Sequence, residues 1–583
     1  MLRLTSFILL SFSLGIPTLQ GQVLTEINKL CDQVQVNYDY DLNFTASERR
    51  LMCGSSGIEA WEKIPLRQAQ YHMQNFLEAR GYHHPIFTFE AEHLFVDPGI
   101  PTLINTLRTQ PPIEQLDIEN YWLPRGKPLT PGELDTTEKW VDSKLGRLGY
   151  PCATIRSVGD PETGEVVVIV DKGPLWTIDA IEADPLPYVR GGMLDRYRAF
   201  EIGDPYDSML LELSAERLKA SDVVVNTQYI PLCRNEKPGT IRQMTLAGKP
   251  RLISFGFGFD TEELFITRAS WRNSRFSETA SSLDISATAS YRRQNILTSF
   301  NWYYLPIPTR HYLKTFVRAE RASEREAETL TLKGLVAPAW SREFRRFKGD
   351  FYLGPSLQFE ATERGVGPPT TRLLTLDLGL SVESHMYEYY LASPRTGYQA
   401  NLYASMSEKS AASDVSALTY RFDFTRLWNV LEMDPEIWIF GIRGNFSTTK
   451  PGTDTKPEEL PLSFRYFLGG SDDLRGFARR SVHTGPTDVG NLTTAYLGSE
   501  IRLNNVIPYK LQPFLFGDWG WLGEQYFKLY PRMYWSPGVG LRWESPIGGL
   551  RFTLGHGYVA GKDKEEAKYL ERWQFYFSLG EQF

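Results

Sequence analysis

The carboxy-terminal part of the chain, from Arg251 onward, consists of short segments in which apolar residues occupy every second position. In the stretch LRFTLGHGYV, for example, Leu550, Phe552 and Leu554 share one face. Alternation with a period of two is typical of a β-strand that buries one face, and no long helical pattern occurs in this region. Such strands fit either a β-sandwich or a transmembrane β-barrel.

The number of these segments distinguishes the two architectures. Residues 251–583 contain sixteen candidate strands, which leaves room for about ten residues in each strand. They begin near residues 251, 264, 282, 296, 313, 328, 351, 374, 397, 415, 436, 494, 512, 537, 549 and 572. A soluble sandwich rarely needs so many strands, whereas an even number of this size suits a membrane barrel. We therefore predict an all-β transmembrane barrel of antiparallel strands over residues 248–583.

The preceding residues alternate helical and strand patterns in three similar units. In the clearest unit, Thr130 occupies an N-cap position, Pro131 the first helical position and Glu133 the third position of a capping box, and Gly149 ends the helix. The apolar stripe of this helix is Leu134, Val141, Leu145 and Leu148. A helix followed by two strands recurs along the chain, which predicts tandem α/β modules. The module boundaries are 22–97, 98–172 and 173–247.

The first 21 residues resemble an export signal. Arg3 supplies a short positive start, an apolar run extends from Phe7 to Ile16, and Gly21 is a small residue suited to the position before cleavage. We therefore predict a signal peptide over residues 1–21. No other stretch reaches about 18 apolar residues, so a helical membrane protein is not expected.

All four cysteines lie in the part of the chain that precedes the predicted barrel. An even number of cysteines in an exported protein permits disulfides, and four cysteines allow three pairings. The sequential pairing of Cys31 with Cys53 and of Cys152 with Cys233 is preferred, and free thiols are the alternative. None of the spacings is C-x-x-C, so the cysteines do not predict a metal or redox site.

One glycine-rich segment near the end of the chain, LGGSDDLRGF, carries a family resemblance. Arg475, Gly476 and Phe477 are similar to the signature of the sixth extracellular loop in the outer-membrane assembly-factor superfamily, which contains BamA, TamA and two-partner-secretion transporters. The sequence FGDWG, with Asp518 and Gly520, resembles that superfamily's motif on the next strand but one. The α/β modules resemble polypeptide-transport-associated (POTRA) domains, and three of them before sixteen strands resemble the TamA type most closely. Leucine stands before the arginine, where valine is usual in the superfamily.

Alternation also predicts a partner for the loop arginine. Glu500 lies on the face opposite Ile501, and Asp518 on the face opposite Trp519. Because the apolar face of a membrane barrel meets lipid, both acids are expected to point into the lumen. Arg475 can neutralise them if its loop folds back into the barrel. The alternative is an exposed loop whose arginine lies in water.

The first and last strands of the predicted barrel, RLISFGFGFD and RWQFYFSLGEQF, form its closing seam. Glycines in the interior of a strand weaken it, and an open strand edge can pair with an incoming strand. The resemblance implies a lateral gate at this seam; the alternative is that the glycines suit barrel curvature. The candidate gate residues are Phe255, Gly256, Phe257 and Gly258 on the first strand and Phe575, Phe577, Gly580 and Phe583 on the last.

The resemblance implies a function in membrane-protein assembly. We expect an insertase or translocase in the bacterial outer membrane, with its modules in the periplasm, that acts on unfolded outer-membrane proteins such as autotransporters. The implied partner is a TamB-like periplasmic protein anchored in the inner membrane. A two-partner-secretion transporter, a passive porin and a phospholipid conduit are the alternatives.

Other kinds of chemistry have no support in the sequence. The net charge of −7 argues against a nucleic-acid-binding protein, which usually has a clustered basic surplus. No nucleophile elbow, HExxH motif, P-loop or dinucleotide fingerprint occurs. We therefore expect no enzyme activity, no cofactor and no metal site.

Overall fold

The chain folds as two compact units. The first comprises Met1–Gln110, Pro124–Glu138 and Arg156–Ile169, and the second comprises Pro111–Leu123, Lys139–Ile155 and Val170–Phe583. The computed structural model describes residues 27–37, 42–58, 62–187, 189–233, 239–304, 310–409, 412–482, 490–546 and 548–579. The predicted signal peptide, residues 1–21, lies outside these ranges. Among the described residues, no helix is long and apolar enough to cross a membrane.

The first α/β module has a four-stranded sheet and two helices. Its elements are β1 (Ile27–Cys31), β2 (Val34–Asn37), α1 (Ala46–Cys53), α2 (Leu66–Glu78), β3 (Ile86–Glu90) and β4 (His93–Asp97). The sheet order is β1-β2-β4-β3, with β2 parallel to β4 and β3 antiparallel to it. Val36, Met73 and Leu94 are buried in the core between sheet and helices. A disulfide joins Cys31 at the end of β1 to Cys53 at the end of α1.

The next two modules repeat this arrangement with three strands each. Their elements are β5 (Thr106–Gln110), α3 (Pro131–Arg147), β6 (Thr154–Gly159) and β7 (Glu165–Asp171), then β8 (Ala180–Ala183), α4 (Ser208–Ala220), β9 (Val224–Pro231) and β10 (Thr240–Ala247). In the sheets β5-β7-β6 and β8-β10-β9, the first strand is parallel to the last in sequence. The hydroxyl of Thr130 accepts a hydrogen bond from the N–H of Glu133 at the start of α3. Leu148 is exposed, contrary to its expected place on the apolar stripe, because α3 ends at Arg147.

The remainder of the second unit is a closed β-barrel. Its strands are β11 (Arg251–Asp260), β12 (Leu264–Asn273), β13 (Ser282–Ala289), β14 (Arg293–Trp302), β15 (His311–Ser323), β16 (Ala327–Glu343), β17 (Phe347–Gly365), β18 (Thr370–Ser384), β19 (Gly397–Ser407), β20 (Ala417–Asn429), β21 (Trp438–Pro451), β22 (Thr493–Leu503), β23 (Leu511–Gly523), β24 (Arg532–Ser545), β25 (Gly548–His556), β26 (Tyr558–Gly561) and β27 (Trp573–Leu579). β25 and β26 are two parts of one strand interrupted at Gly557, since both pair with β24. The described residues therefore form sixteen antiparallel strands, and the predicted fold class, α/β modules followed by a sixteen-stranded barrel, is confirmed.

The barrel wall is shortest beside its closing seam. β11, β12 and β14 contain 10 residues each and β13 contains 8. β16, β17 and β18, farther round the barrel, contain 17, 19 and 15 residues, more than the expected strand length of about ten. At about 3.4 Å per residue, these three strands are longer than a bilayer requires, so the wall height is uneven.

Within the second unit, a buried arginine on α4 attaches the third module to the barrel. The Nη1 of Arg217 lies 2.7 Å from an oxygen of Glu343 at the end of β16, and its Nη2 lies 2.6 Å from an oxygen of Glu388. Glu388 belongs to the short helix α5 (His385–Tyr389), which packs against the core of the third module. Burial works against the charge of Arg217, but hydrogen bonds and charges from Glu388 and Glu343 raise its pKa.

Candidate functional site

The segment between β21 and β22 folds back into the barrel as an internal loop, which we call the lumen loop (residues 463–482). Leu474 and Phe477 in this loop are fully buried and pack with Tyr534 of β24. The ring of Phe477 meets the Tyr534 ring edge to face, with centres 5.8 Å apart, and its carbonyl accepts a hydrogen bond of 2.6 Å from the hydroxyl of Tyr576 on β27. The lumen loop is therefore packed against the inside of the wall.

Arg475 makes the main polar contacts of the lumen loop. Its Nε and Nη2 each donate a 2.8 Å hydrogen bond to a different oxygen of Asp518, and its Nη1 donates one of 2.8 Å to Glu500. Its guanidinium carbon also lies 3.7 Å from the centre of the Phe516 ring. Two parallel bonds from a guanidinium to one carboxylate give strength and a defined orientation. Arg475 is 1 % exposed and Asp518 is 0 % exposed, so neither charge is solvated.

The register of β22 and β23 brings the two acids to the same place. Gly498 pairs with Asp518, and Glu500 pairs with Phe516, so both carboxylates lie on the inner face of neighbouring strands. Asp518 also accepts a hydrogen bond of 3.1 Å from the backbone N–H of Arg475 and one of 3.0 Å from the hydroxyl of Tyr496. The acids and the arginine that were singled out in the sequence thus meet in one buried cluster.

Two glycines of the sequence motifs allow the lumen loop to approach the wall closely. A Cβ on Gly476 would lie 2.4 Å from the Cβ of Ser536 and 2.6 Å from the backbone nitrogen of Gly557. A Cβ on Gly520 would lie 2.7 Å from a methyl group of Leu474. Such separations are shorter than van der Waals contact, so any larger residue at either position would displace the loop.

More positive charge surrounds Glu500 than the sequence pattern predicted. We expected Arg475 alone to neutralise the acids, but Arg502, Arg542 and Arg551 also lie 2.6, 3.3 and 3.7 Å from the Glu500 carboxylate. Alternation turns these three arginines to the inner face of their strands, but it does not show which inward side chains lie beside Glu500. In the described part of the chain, no group of three or more His, Cys, Asp or Glu side chains is placed to hold a metal ion.

The lumen loop has a second set of polar contacts, which the sequence analysis did not anticipate. The Ser471 hydroxyl donates a 2.7 Å hydrogen bond to Glu262 in the turn between β11 and β12. Arg479 donates bonds of 3.1 and 2.7 Å to the two oxygens of Glu324, in the turn between β15 and β16. Since Tyr576 on β27 also bonds to the loop, the loop contacts both sides of the closing seam.

At the closing seam, the described part of β27 has fewer residue pairs with β11 than with β25. Phe259 pairs with Leu579 and Asp260 with Ser578, and the N–H of Thr261 donates a 3.0 Å hydrogen bond to the carbonyl of Phe577. β27 pairs with β25 at seven described residues, and two of these seven pair with β11. Since ladder hydrogen bonds hold neighbouring strands together, the described part of β27 is held less firmly by β11 than by β25.

The candidate gate residues on β11 lie before the two paired positions. Phe255, Gly256, Phe257 and Gly258 all pair with β12 on one side, and no described residue of β27 pairs with them on the other. Phe255 and Phe257 are 74 % and 82 % exposed on the outer face, as the alternation predicts. Residues 580–583, which follow Leu579 in the chain, lie outside the described residues.

The candidate gate residues on β27 are described only in part. The ring of Phe577 packs against Phe259 across the seam, with centres 5.9 Å apart. Phe575 is exposed on the outer face. Gly580 and Phe583 lie outside the described residues.

Comparison with known proteins identifies proteins that are similar to parts of this chain. Residues 371–583 match the Omp85 superfamily domain. Over 131 residues, the chain is 26 % identical to outer membrane protein assembly factor BamA from Nitratidesulfovibrio vulgaris (strain Hildenborough). That match covers 21 % of this chain and 16 % of the BamA relative, so it spans a small part of the relative's length.

Two solved structures are similar at low sequence identity. The crystal structure of BamA from Haemophilus ducreyi lacking POTRA domains 1–3 has a TM-score of 0.50 and 16 % identity, and the match covers 82 % of this chain and 99 % of that one. CdiB from Acinetobacter baumannii has a TM-score of 0.45 and 14 % identity, over 82 % of this chain and 89 % of that one. The first likeness shows a shared fold. Arg475, both acids and the last strand of the seam all lie within residues 371–583, the region that matches the Omp85 superfamily domain.

Proposed function

We propose that this protein is an outer-membrane insertase or translocase whose clients enter the bilayer through the seam between β11 and β27. The observation that carries the proposal is that β27 pairs with β25 at seven described residues and with β11 at two of these seven, which leaves most of the described part of β27 as a strand edge at the seam. Backbone N–H and C=O groups at such an edge can pair with an incoming strand. The Omp85 match over residues 371–583 and the BamA relative, which is named an outer membrane protein assembly factor, support this function.

Two further features support lateral passage rather than passage through the lumen. The lumen loop is held inside the barrel by the buried contacts of Arg475, which narrows any central channel. The wall is also lower at β11–β14, with 8 to 10 residues in each strand, than at β16–β18, with 15 to 19. The wall beside the seam therefore matches the bilayer and lacks the extension that the taller strands have. A passive porin needs neither feature.

The cellular setting and partners belong to the same proposal. We assign the barrel to the bacterial outer membrane, with the α/β modules in the periplasm. The clients are unfolded outer-membrane proteins, autotransporters among them, and the partner is a TamB-like protein anchored in the inner membrane that docks on the modules. These assignments rest on the resemblance of the three modules and sixteen strands to the TamA type. Two-partner secretion is the neighbouring alternative, and its client would be a secreted protein rather than a membrane barrel.

A disulfide across the seam tests the proposal. Asp260 and Ser578 face each other, and the N–H of Thr261 donates to the carbonyl of Phe577 at 3.0 Å. That bond makes Asp260 and Ser578 the non-hydrogen-bonded pair, in which side chains are closest and a disulfide fits best. The native cysteines are all paired, so thiols added by Asp260→Cys and Ser578→Cys have each other as partners.

The expected result is loss of client assembly in the oxidised double variant while its own barrel stays folded. Assembly of an autotransporter barrel into vesicles that contain the protein is followed by the gel-mobility shift of the folded client. The controls are the two single variants and the wild-type protein, each taken through the same oxidation and reduction as the double variant. Full client assembly by the locked protein would reject the lateral gate. Steady ion conductance unaffected by the lock would then favour a porin, and altered lipid composition with normal client assembly would favour a phospholipid conduit.

A further inference from the structure

The barrel turn between β20 and β21, which we call the docking turn (residues 430–437), is contacted by residues that precede the barrel in sequence. The backbone N–H of Asp434 donates a 3.0 Å hydrogen bond to the carbonyl of Asn120. The indole Nε1 of Trp122 donates one of 2.8 Å to the carbonyl of Pro435. All of these residues belong to the second compact unit, so the contacts lie within one body.

The end of α3 contributes to the same contact. Lys144 extends its Nζ to within 2.5 Å of Asp434 Oδ2. Trp140, one turn earlier on the helix, stacks on Tyr121 with ring centres 4.2 Å apart and an angle of 11° between the rings. Tyr121 is 1 % exposed. The docking turn is therefore bound by one ion pair and two hydrogen bonds beside a buried aromatic pair.

The other end of this helix region is joined to the third module. Just beyond α3, Cys152 forms a disulfide with Cys233, which follows β9. Cys152 also packs against the core of the third module, and the N–H of Trp176 donates a 2.9 Å hydrogen bond to the carbonyl of Gly149. The two cysteines are 81 residues apart in sequence. The end of α3 is thus covalently connected to the third module twice, once by the chain and once by the disulfide.

The third module is itself fixed to the barrel at other turns. The ion pairs of Arg217 with Glu343 and Glu388 are largely buried. Arg196 is also buried and donates a 2.7 Å hydrogen bond to the carbonyl of Thr279, in the turn between β12 and β13. The third module therefore contacts the barrel, the end of α3 is bonded to the third module, and the end of α3 also contacts the barrel.

We propose that the Cys152–Cys233 disulfide locks the end of α3 onto the docking turn, so that this part of the chain cannot swing away from the barrel. Lys144 and Asp434 are each about one third exposed, and a pair of this kind contributes little by itself. A segment attached to its neighbour at one point can rotate about that point in any direction, whereas a second attachment restricts it to rotation about a single axis. The second attachment keeps the docking contacts at high effective concentration, and they remain closed.

The docking turn lies on a different side of the barrel from the closing seam. The turn joins the tenth and eleventh of the sixteen strands, whereas the seam joins the sixteenth to the first. The lock therefore holds the α3 end on a side of the barrel remote from the seam. It rests on contacts and a disulfide alone, so it does not depend on whether the seam opens.

Hydrogen exchange of the full-length protein in lipid nanodiscs tests the lock. Cys152→Ser with Cys233→Ser should speed exchange in peptides that cover the Asp434 amide by at least tenfold, with little change in the barrel strands. The matched control, Cys31→Ser with Cys53→Ser, removes the disulfide inside the first module and should leave these peptides unchanged. Equal exchange in wild type and the first variant, or an equal rise in the control, would overturn the proposal.

A second route avoids the risk that the first variant fails to fold. The Cys31→Ser/Cys53→Ser protein is purified in its folded, oxidised state and then reduced with a phosphine, so that Cys152–Cys233 is the bond that changes. Faster exchange at the docking turn after reduction supports the lock. Unchanged exchange, with complete alkylation of both thiols, refutes it.

Discussion

Replacing Asp518 by asparagine removes a buried charge while it keeps the shape of the side chain. The carboxylate accepts three hydrogen bonds from Arg475 and one from Tyr496. Asparagine has one acceptor oxygen and two donor hydrogens, so at least one N–H of Arg475 would face another donor. Breaking a buried ion pair by removing one partner costs about 3–5 kcal/mol. Because Glu500 still contacts Arg475 but is shared with Arg502, Arg542 and Arg551, we expect Asp518→Asn to cost about 3–5 kcal/mol, at least roughly a hundredfold in the unfolding equilibrium.

The assay is reversible denaturant unfolding of the barrel in phospholipid vesicles, followed by tryptophan fluorescence. The matched control is Asp423→Asn on the inner face of β20, where the carboxylate is half-buried and accepts a 2.6 Å hydrogen bond from the neutral Asn445. A single neutral hydrogen bond contributes about 1 kcal/mol, so the control should lose no more than that. Equal losses in the two variants would refute the view that the buried Arg475 pair holds the lumen loop.

Three further variants test other contacts. Gly476→Ala should push the lumen loop away from the wall, lower the free energy of unfolding by about 1–3 kcal/mol and speed protease cleavage of the loop. The control is Gly256→Ala, which should be neutral because the nearest atom to its Cβ would be 4.0 Å away. Equal cleavage in the two variants would contradict the close approach of Gly476 to the wall. Arg479→Gln should free the loop from the first half of the wall and raise cleavage less than Gly476→Ala; unchanged cleavage would mean that these ion pairs do not hold it. Cys31→Ser with Cys53→Ser should lower the free energy of unfolding of the first module by roughly 3 kcal/mol, measured by hydrogen exchange in α2, and unchanged exchange would contradict a stabilising disulfide.

The barrel was predictable from sequence because a single physical constraint acts on every strand. One face of each strand must be apolar, so alternation reveals both the strands and the direction of each side chain. Alternation predicted that Glu500 and Asp518 point inward, and in the structure both lie on the inner face of neighbouring strands. The expected strand lengths were wrong for β16, β17 and β18, because residues beyond the bilayer continue the ladder without obeying the same apolar pattern.

Contacts between distant parts of the chain were not predictable. The position of Arg542 and Arg551 beside Glu500 depends on the stagger between strands, which alternation does not reveal. Ser471 and Arg479 bond to the β11–β12 turn and the β15–β16 turn, and these bonds depend on the path of the lumen loop. The first module was also hard to recognise, since β1 and β2 contain only 5 and 4 residues and have too few positions for a clear pattern.

Gly476 and Gly557 face each other and limit which substitutions this protein can accept. A Cβ on Gly476 would meet the backbone of Gly557, and a Cβ on Gly557 would lie 2.6 Å from the carbonyl oxygen of Gly476. In most packed pairs, a larger residue on one side can be accommodated by a smaller one on the other. Here both side chains are already absent, so no substitution at the facing position can make room. A genetic screen for suppressors of Gly476→Ala should therefore return the glycine itself or changes that shift the strand backbone.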